Sequence, residues 1–150
     1  MNNIFYLLAA IAIGACLSMQ PPINAVMART LGSPLLAAFV SISITLLLAI
    51  TAWLSIAKGA GDLSQIKTLP WWIVIGGVAG VLFVVGGVLV APVTGIALFF
   101  VCVIGGQLLG STVADQLGAF GVPVKPVNAM KLFGLSLVLI GAVLVRNSNG

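Results

Sequence analysis

The chain has 150 residues, of which 61% are hydrophobic and only 5% are charged, and its net charge is +4. Ordinary soluble domains are about 45–50% apolar and about 25% charged, so this composition excludes a soluble enzyme, a disordered tail and a nucleic-acid-binding module. It is typical of an integral membrane protein, in which scattered basic residues near the ends of apolar segments anchor helices and set topology.

The first predicted membrane span covers residues 4–31 and is interrupted by prolines. Gln20 and Asn24 are four residues apart and leave one face of a helix, with Pro21 and Pro22 between them. A proline removes a backbone donor, and broken helices with free backbone groups recur at transporter binding sites. Because Gln20 lies about 24 Å along the helix, these residues also fit a capping and kinking motif at a helix end. Both interpretations stay open.

The second predicted span covers residues 35–57 and contains hydroxyl side chains but no charged residue. A turn at residues 31–34 precedes it, since glycine and proline are typical of helix breaks. The longest polar stretch, residues 58–68, follows the span and is predicted to be a surface loop.

The third span is predicted over residues 70–90, beginning with Pro70 and the pair Trp71 and Trp72. Proline fits the first turn of a helix, where its missing N–H is not needed, and tryptophans fit the membrane–water interface. A break is predicted at Ala91-Pro92, because one helix running through this point would be too long for a bilayer.

The fourth predicted span, residues 93–113, carries a stripe of polar residues. Gln107, Ser111 and Asp115 follow one another at intervals of four, on one helical face. Gln107 lies about 21 Å along the helix, well inside the bilayer. Asp115 lies near its exit, where a carboxylate could titrate, bind a cation or cap the following turn.

A connection at residues 115–128, rich in glycine and proline, leads to the fifth predicted span at residues 129–145. The sequence therefore predicts an all-α membrane protein with one domain over residues 1–150, built from five transmembrane helices and short loops.

The basic residues give a predicted orientation. One side of the membrane would hold the N-terminus and four basic residues, and the other side would hold two; the first set is Lys58, Lys67, Lys125 and Lys131, and the second is Arg29 and Arg146. The excess of basic residues on cytoplasmic loops favours an inside N-terminus and an outside C-terminus. Since the excess is small, insertion in both orientations stays open.

Glycines are spaced to form faces for close helix packing. The chain has 18 glycines, and the pairs that share a helical face are Gly76 and Gly80, Gly106 and Gly110, and Gly134 and Gly141. Small residues allow helices to approach closely in lipid, where apolar burial offers no gain. These faces fit packing inside one bundle, a dimer interface or sliding surfaces.

The reactive side chains are too few for a metal site or an enzyme. Cys16 and Cys102 lie in apolar runs without a partner at metal-ligand spacing, and the chain has no histidine. No cofactor is expected, and no nucleophile–base pair indicates catalysis. The two acidic residues, Asp62 and Asp115, lie in a loop and near a span end. Export of cations driven by protons is disfavoured, since it needs a titratable carboxylate in the pathway.

Several motifs together resemble a known family. They are Gln20-Pro21-Pro22-Ile23-Asn24-Ala25, Gly32-Ser33-Pro34, Gly106-Gln107 with Asp115-Gln116-Leu117-Gly118, and the last helix with Lys131-Leu132-Phe133-Gly134 and Gly141. In these motifs the chain resembles, over nearly its whole length, the YdcZ-type family of small bacterial inner-membrane proteins in the drug/metabolite transporter superfamily.

The resemblance implies a half-size transporter located in the bacterial inner membrane. Larger members of the superfamily carry two five-helix repeats of opposite orientation, so this chain would pair with a second copy, parallel or antiparallel, or with a homologous chain. The small multidrug exporters of the superfamily are less similar, since they have four helices and an essential glutamate in the first. This chain has Gly14 there and no glutamate.

The expected function is secondary transport, as an exporter of small metabolites or amphipathic compounds by alternating access. The expected pathway residues are Gln20, Asn24, Gln107, Ser111 and Asp115. The alternative is a helical subunit that transports nothing and stabilises or regulates a membrane complex.

Overall fold

The computed structural model describes residues 3–148, and these residues form α-helices and short 3-10 segments without a β-strand. Five segments are long and apolar enough to cross a membrane: Ile4–Leu31, Pro34–Ser55, Trp71–Thr94, Ile96–Leu117 and Ala129–Asn147. The predicted all-α membrane fold with five such helices is confirmed. The chain divides after Val93 into two compact units.

The first membrane segment is a broken helix. It consists of α1 (Asn3–Leu17) and α2 (Gln20–Leu31). At the break, the Met19 N–H donates to the Cys16 carbonyl at 3.2 Å, which is the tighter 3-10 pattern. Pro21 and Pro22 cannot donate to the carbonyls four residues before them, so the regular helical pattern cannot run through this point.

A tight turn joins α2 to α3 (Pro34–Ser55). Gly32 ends α2 in the left-handed conformation, with a φ of 69°, and the Ser33 side chain accepts a hydrogen bond from the Leu36 N–H at 3.2 Å. The helices α2 and α3 pack against each other. Several buried positions of the pair are small, namely Ala25, Ala37 and Ala38, and small residues permit this close approach.

The polar loop after α3 is held by two side chains. The Trp53 indole N–H donates to the Ala60 carbonyl at 2.7 Å. The carboxylate of Asp62 caps a 3-10 segment, Leu63–Thr68, and accepts from the Ser64 amide at 2.9 Å and the Ser64 hydroxyl at 2.6 Å. These hydrogen bonds from Ser64, with a further one from Gln65, lower the pKa of Asp62 because they stabilise the ionised carboxylate.

The helix α4 (Val74–Thr94) follows a 3-10 segment, Trp71–Ile73, which begins after Pro70 rather than with it. The predicted break at Ala91-Pro92 is wrong, because α4 contains Pro92 and continues to Thr94. Pro92 lies in the last turn, where it removes only one hydrogen bond of the helix. The break occurs at Gly95, whose φ of 84° is accessible to glycine and strained for other residues.

The second unit is a helical hairpin of α5 (Ile96–Leu117) and α6 (Ala129–Ser148), which pack against each other. A Cβ added to Gly105 would lie 3.6 Å from Leu139 Cδ2, so this glycine faces α6 at ordinary contact distance. Because α5 continues to Leu117, Asp115 and the residue after it belong to its last turn and not to the predicted connection.

Gly118 ends α5 at a position that only glycine suits. Its φ is 61°, and an added Cβ would lie 2.8 Å from Val124 Cγ2 and 3.3 Å from the Val122 carbonyl oxygen. Both the backbone conformation and the space exclude a side chain there.

Candidate functional site

The first unit contains an open cleft of about 310 Å³, here called the Asn24 cleft. It lies where the break between α1 and α2 meets one face of α3. Its lining consists of Cys16, Met19, Gln20, Ile23, Asn24, Met27, Ser41, Ile44 and Thr45. All of these residues belong to the first two segments that are long and apolar enough to span a membrane.

Helical spacing brings the lining residues to one place. On α2, Gln20, Asn24 and Met27 are separated by four and three residues, so they share a face. On α3, Ser41 and Thr45 are four apart and face the same cleft. Gln20 and Asn24 were predicted from the sequence as pathway residues, but Ser41 and Thr45 were not. The second span contains several hydroxyl residues, and the sequence does not show which of them lie on the face of α3 that packs against α2.

Asn24 is the most unusual member of the lining. Only 3% of the residue is exposed, and its Nδ2 atom has no hydrogen-bond partner among residues 3–148. Leaving a buried amide donor without an acceptor is unfavourable by about 1–3 kcal/mol, and such groups are rare in folded proteins. The described part of the chain therefore leaves this amide donor available to an acceptor from outside it.

Most hydroxyl side chains in the membrane segments behave differently, because they donate to carbonyls of their own helix. Thr30 donates to Val26, Thr51 to Leu47, and Ser111 and Thr112 both to Leu108, at 2.7–3.1 Å between oxygen atoms. Such back-bonding satisfies a hydroxyl in an apolar environment without a ligand. A polar side chain within a membrane span therefore does not by itself indicate a binding site. The unpaired amide donor of Asn24 does indicate one.

The chemistry of the Asn24 cleft is neutral and largely apolar. None of its nine described lining side chains carries a formal charge. Three of them contain sulfur, namely Cys16, Met19 and Met27, and thioethers adapt to ligands of different shape and contact aromatic rings favourably. The cleft suits an uncharged or amphipathic molecule better than a metal ion or a phosphate.

The other predicted pathway residues lie on α5, in the second unit, and none of them lines the Asn24 cleft. Gln107 is exposed, and the Ser111 hydroxyl donates to its own helix. The structure thus brings together Gln20 and Asn24. Gln107, Ser111 and Asp115 lie on α5, in the second unit.

Asp115 is part of a network that holds the α5–α6 connection. Its carboxylate pairs with the Lys131 ammonium at 3.4 Å, and its backbone carbonyl accepts from the Lys125 N–H at 2.9 Å. The neighbouring Gln116 side chain accepts from the Val127 N–H at 2.7 Å, and Asn128 caps α6 by accepting from the Lys131 N–H at 2.8 Å. The sequence suggested a cap near Asp115 but did not show Lys131 as its partner.

The six predicted packing glycines have open space beside them within their own unit. A Cβ added to any of the six predicted packing glycines would meet no atom of another segment within 4 Å: Gly76, Gly80, Gly106, Gly110, Gly134 and Gly141. The two cysteines, Cys16 and Cys102, are both free and exposed.

Comparison with known proteins gives one family. Residues 5–144 match the model of the family described as "Putative inner membrane exporter, YdcZ". No curated protein and no solved structure gives a significant match. The match covers nearly the whole chain, including the broken first segment and the hairpin of the second unit. The chain is therefore a membrane-embedded protein that belongs to the YdcZ family.

Proposed function

We propose that the chain is an exporter subunit that carries small uncharged or amphipathic metabolites across the inner membrane by alternating access. The observation that carries this proposal is the Asn24 cleft. It is a neutral cleft between membrane-spanning segments, and it contains a buried amide with no partner. The description of the family as an inner membrane exporter agrees with it.

The broken first helix supports a transport role. Transporters often form their substrate sites from discontinuous helices, because the break frees backbone groups and provides a point of movement. Here the break between Leu17 and Gln20 directly borders the Asn24 cleft. A helical subunit without transport activity would need neither the break nor the cleft.

The distribution of acidic residues supports a neutral substrate. Asp62 lies in the loop after α3, and Asp115 is paired with Lys131 in the last turn of α5. These two are the only acidic residues of the chain. A cation exporter would need a carboxylate in its binding site to replace the hydration of the substrate charge.

A dimer is part of the proposal. Five helices correspond to one repeat of the larger relatives that the sequence resembles, and the predicted packing glycines of α4, α5 and α6 have open space beside them within their own unit. A second copy, inverted or parallel, or a homologous chain would cover such faces by close helix packing. An N-terminus inside and a C-terminus outside is the orientation that the basic residues favour for one copy.

Transport by the purified chain in lipid vesicles tests this function. Vesicles loaded with a panel of radiolabelled neutral metabolites should release at least one of them faster than protein-free vesicles do. Asn24→Leu should reduce that flux to the passive leak. Ser43→Ala should preserve it, because Ser43 lies two residues from Ser41 on α3 and does not line the cleft.

Failure across the whole panel, combined with stable co-purification of a larger membrane protein, would contradict the proposal and favour a regulatory subunit. The orientation of the C-terminus tests the dimer separately, by a reporter whose signal depends on the side of the membrane. Two populations would support an inverted dimer, and one population would support a parallel pair or a homologous partner.

A further inference from the structure

The free donor of Asn24 defines what a ligand of the Asn24 cleft must contain. Asn24 is 3% exposed, and its Nδ2 atom lacks an acceptor among the described residues. The terminal torsion of an asparagine side chain is broad, so the amide can turn toward the cleft that the residue lines. A hydrogen-bond acceptor on the ligand would remove the unfavourable free energy of the unpaired donor.

The rest of the lining defines the body of the ligand. Met19 and Met27 present thioethers, and Ile23 and Ile44 present aliphatic side chains. Thioethers contact aromatic rings favourably and adjust to irregular shapes. Since no lining side chain is charged, an ionic group would enter the cleft without a counter-charge, which is strongly unfavourable in an apolar environment.

We infer that the Asn24 cleft binds uncharged organic molecules that combine an apolar, preferably aromatic, body with a carbonyl or ether oxygen. The oxygen accepts the Asn24 Nδ2–H, and the apolar body lies against Met19 and Met27. This inference names the substrate class of the proposed exporter. Only the claim that the bound molecule is transported rests on the proposed export function.

Cys16 provides a reporter for occupancy, because it lines the same cleft and is free. In a Cys102→Ser background it is the only thiol of the chain. The rate at which N-ethylmaleimide alkylates Cys16 is measured in the detergent-solubilised full chain. Benzophenone and 1,1-diphenylethylene serve as probes, because they have nearly the same shape and differ in one group, a carbonyl oxygen in place of a methylene.

Benzophenone should halve the alkylation rate at roughly a tenfold lower concentration than 1,1-diphenylethylene, since one buried hydrogen bond distinguishes the two complexes. In Asn24→Leu the two probes should protect equally. In Ser43→Ala the difference should remain. The comparison of probes in the chain with native Asn24 does not depend on whether Asn24→Leu folds.

Equal protection by both probes in the chain with native Asn24 would overturn the inference. So would no protection by either, as expected if a lipid chain or a second copy fills the cleft. The measurement involves no transport, so it separates the inference from the proposed function. Discrimination between the probes without flux in vesicles would support the binding site and contradict the exporter.

Discussion

The Lys131 ammonium of α6 lies 3.4 Å from the Asp115 carboxylate of α5, across the connection that joins the two helices. Both side chains are about one third exposed. The same ammonium lies 3.4 Å from the Lys125 carbonyl, and the Asp115 carbonyl accepts from the Lys125 N–H. The pair therefore closes a small network that holds the connection against the ends of both helices.

We expect Asp115 and Lys131 to contribute to stability as a pair. Asp115→Asn and Lys131→Gln should each lower the thermal stability of the chain in detergent, and the double variant should be little less stable than either one. The coupling free energy should be at most about 1 kcal/mol, because partly exposed ion pairs are weak. Simple additivity of the two effects would show that the pair does not form.

Flux measured in the same variants tests the other role considered for Asp115. With a structural role, Asp115→Asn should keep most of the transport activity of the unaltered chain. Complete loss of flux in a variant that remains folded would instead make Asp115 a pathway residue.

The membrane spans were predictable from the sequence because a helix in contact with lipid needs a long run of apolar residues. About 20 consecutive apolar residues can hardly be anything other than a spanning helix, and all five segments were found in this way. The ends of the helices were less predictable. Pro92 was expected to break the chain, but the positive φ at Gly95 determines the break. A proline in the last turn of a helix disrupts little, and the sequence does not show which turn is last.

The cleft was only half predictable. Gln20 and Asn24 were found because amides are rare in apolar segments and their spacing puts them on one face. Ser41 and Thr45 were not found, because which face of α3 meets α2 depends on packing between segments distant in sequence. The ion pair of Lys131 with Asp115 was not predicted for the same reason, because the two residues are 16 positions apart in the sequence.

Gln107 allows a test of the predicted pathway residues on α5. Its exposed amide lies within a membrane-spanning segment, where a polar group without a partner is unfavourable. If this amide contacts the substrate or a second chain, Gln107→Leu should abolish transport while the chain remains folded and inserted.

Flux in vesicles, compared with the amount of inserted protein, measures this effect. Thr112→Val is the control on the same helix, because the Thr112 hydroxyl already donates to Leu108 at 2.7 Å and should be dispensable for transport. Unchanged flux in Gln107→Leu would remove Gln107 from the pathway.

The loop after α3 should respond to pH through Asp62. Hydrogen bonds from Ser64 and Gln65 lower the pKa of this carboxyl, so the ionised form stabilises the capped loop. The stabilisation is present above the ordinary pKa of an aspartate and is lost as the pH falls through the lowered value. Amide hydrogen exchange at Ser64, corrected for its intrinsic pH dependence, should therefore become faster only in strongly acidic solution.

Asp62→Asn provides the control for this transition. The asparagine oxygen can still accept from the Ser64 N–H, but it does not ionise in this range, so the acidic transition should disappear. A transition that persists in Asp62→Asn would assign the pH dependence to another group.

A large side chain on a glycine face should leave the folding of the single chain unchanged but weaken association between chains. A Cβ at Gly80 would meet no atom of another segment within 4 Å, so Gly80→Ile should leave the single chain folded. If a second chain packs on this face, the larger side chain would hold the helices apart and weaken association at least tenfold. Energy transfer between labelled chains in lipid vesicles, measured against dilution in lipid, gives the association directly.

Two further variants make the glycine test specific. Val81→Ile adds volume at an exposed apolar position of the same helix and should not change association. Gly118→Ala should instead destabilise the chain itself, because the φ of 61° and the Val124 side chain 2.8 Å away exclude a Cβ. Association that is the same in Gly80→Ile as in the unaltered chain would show that the α4 glycine face does not form a contact between chains.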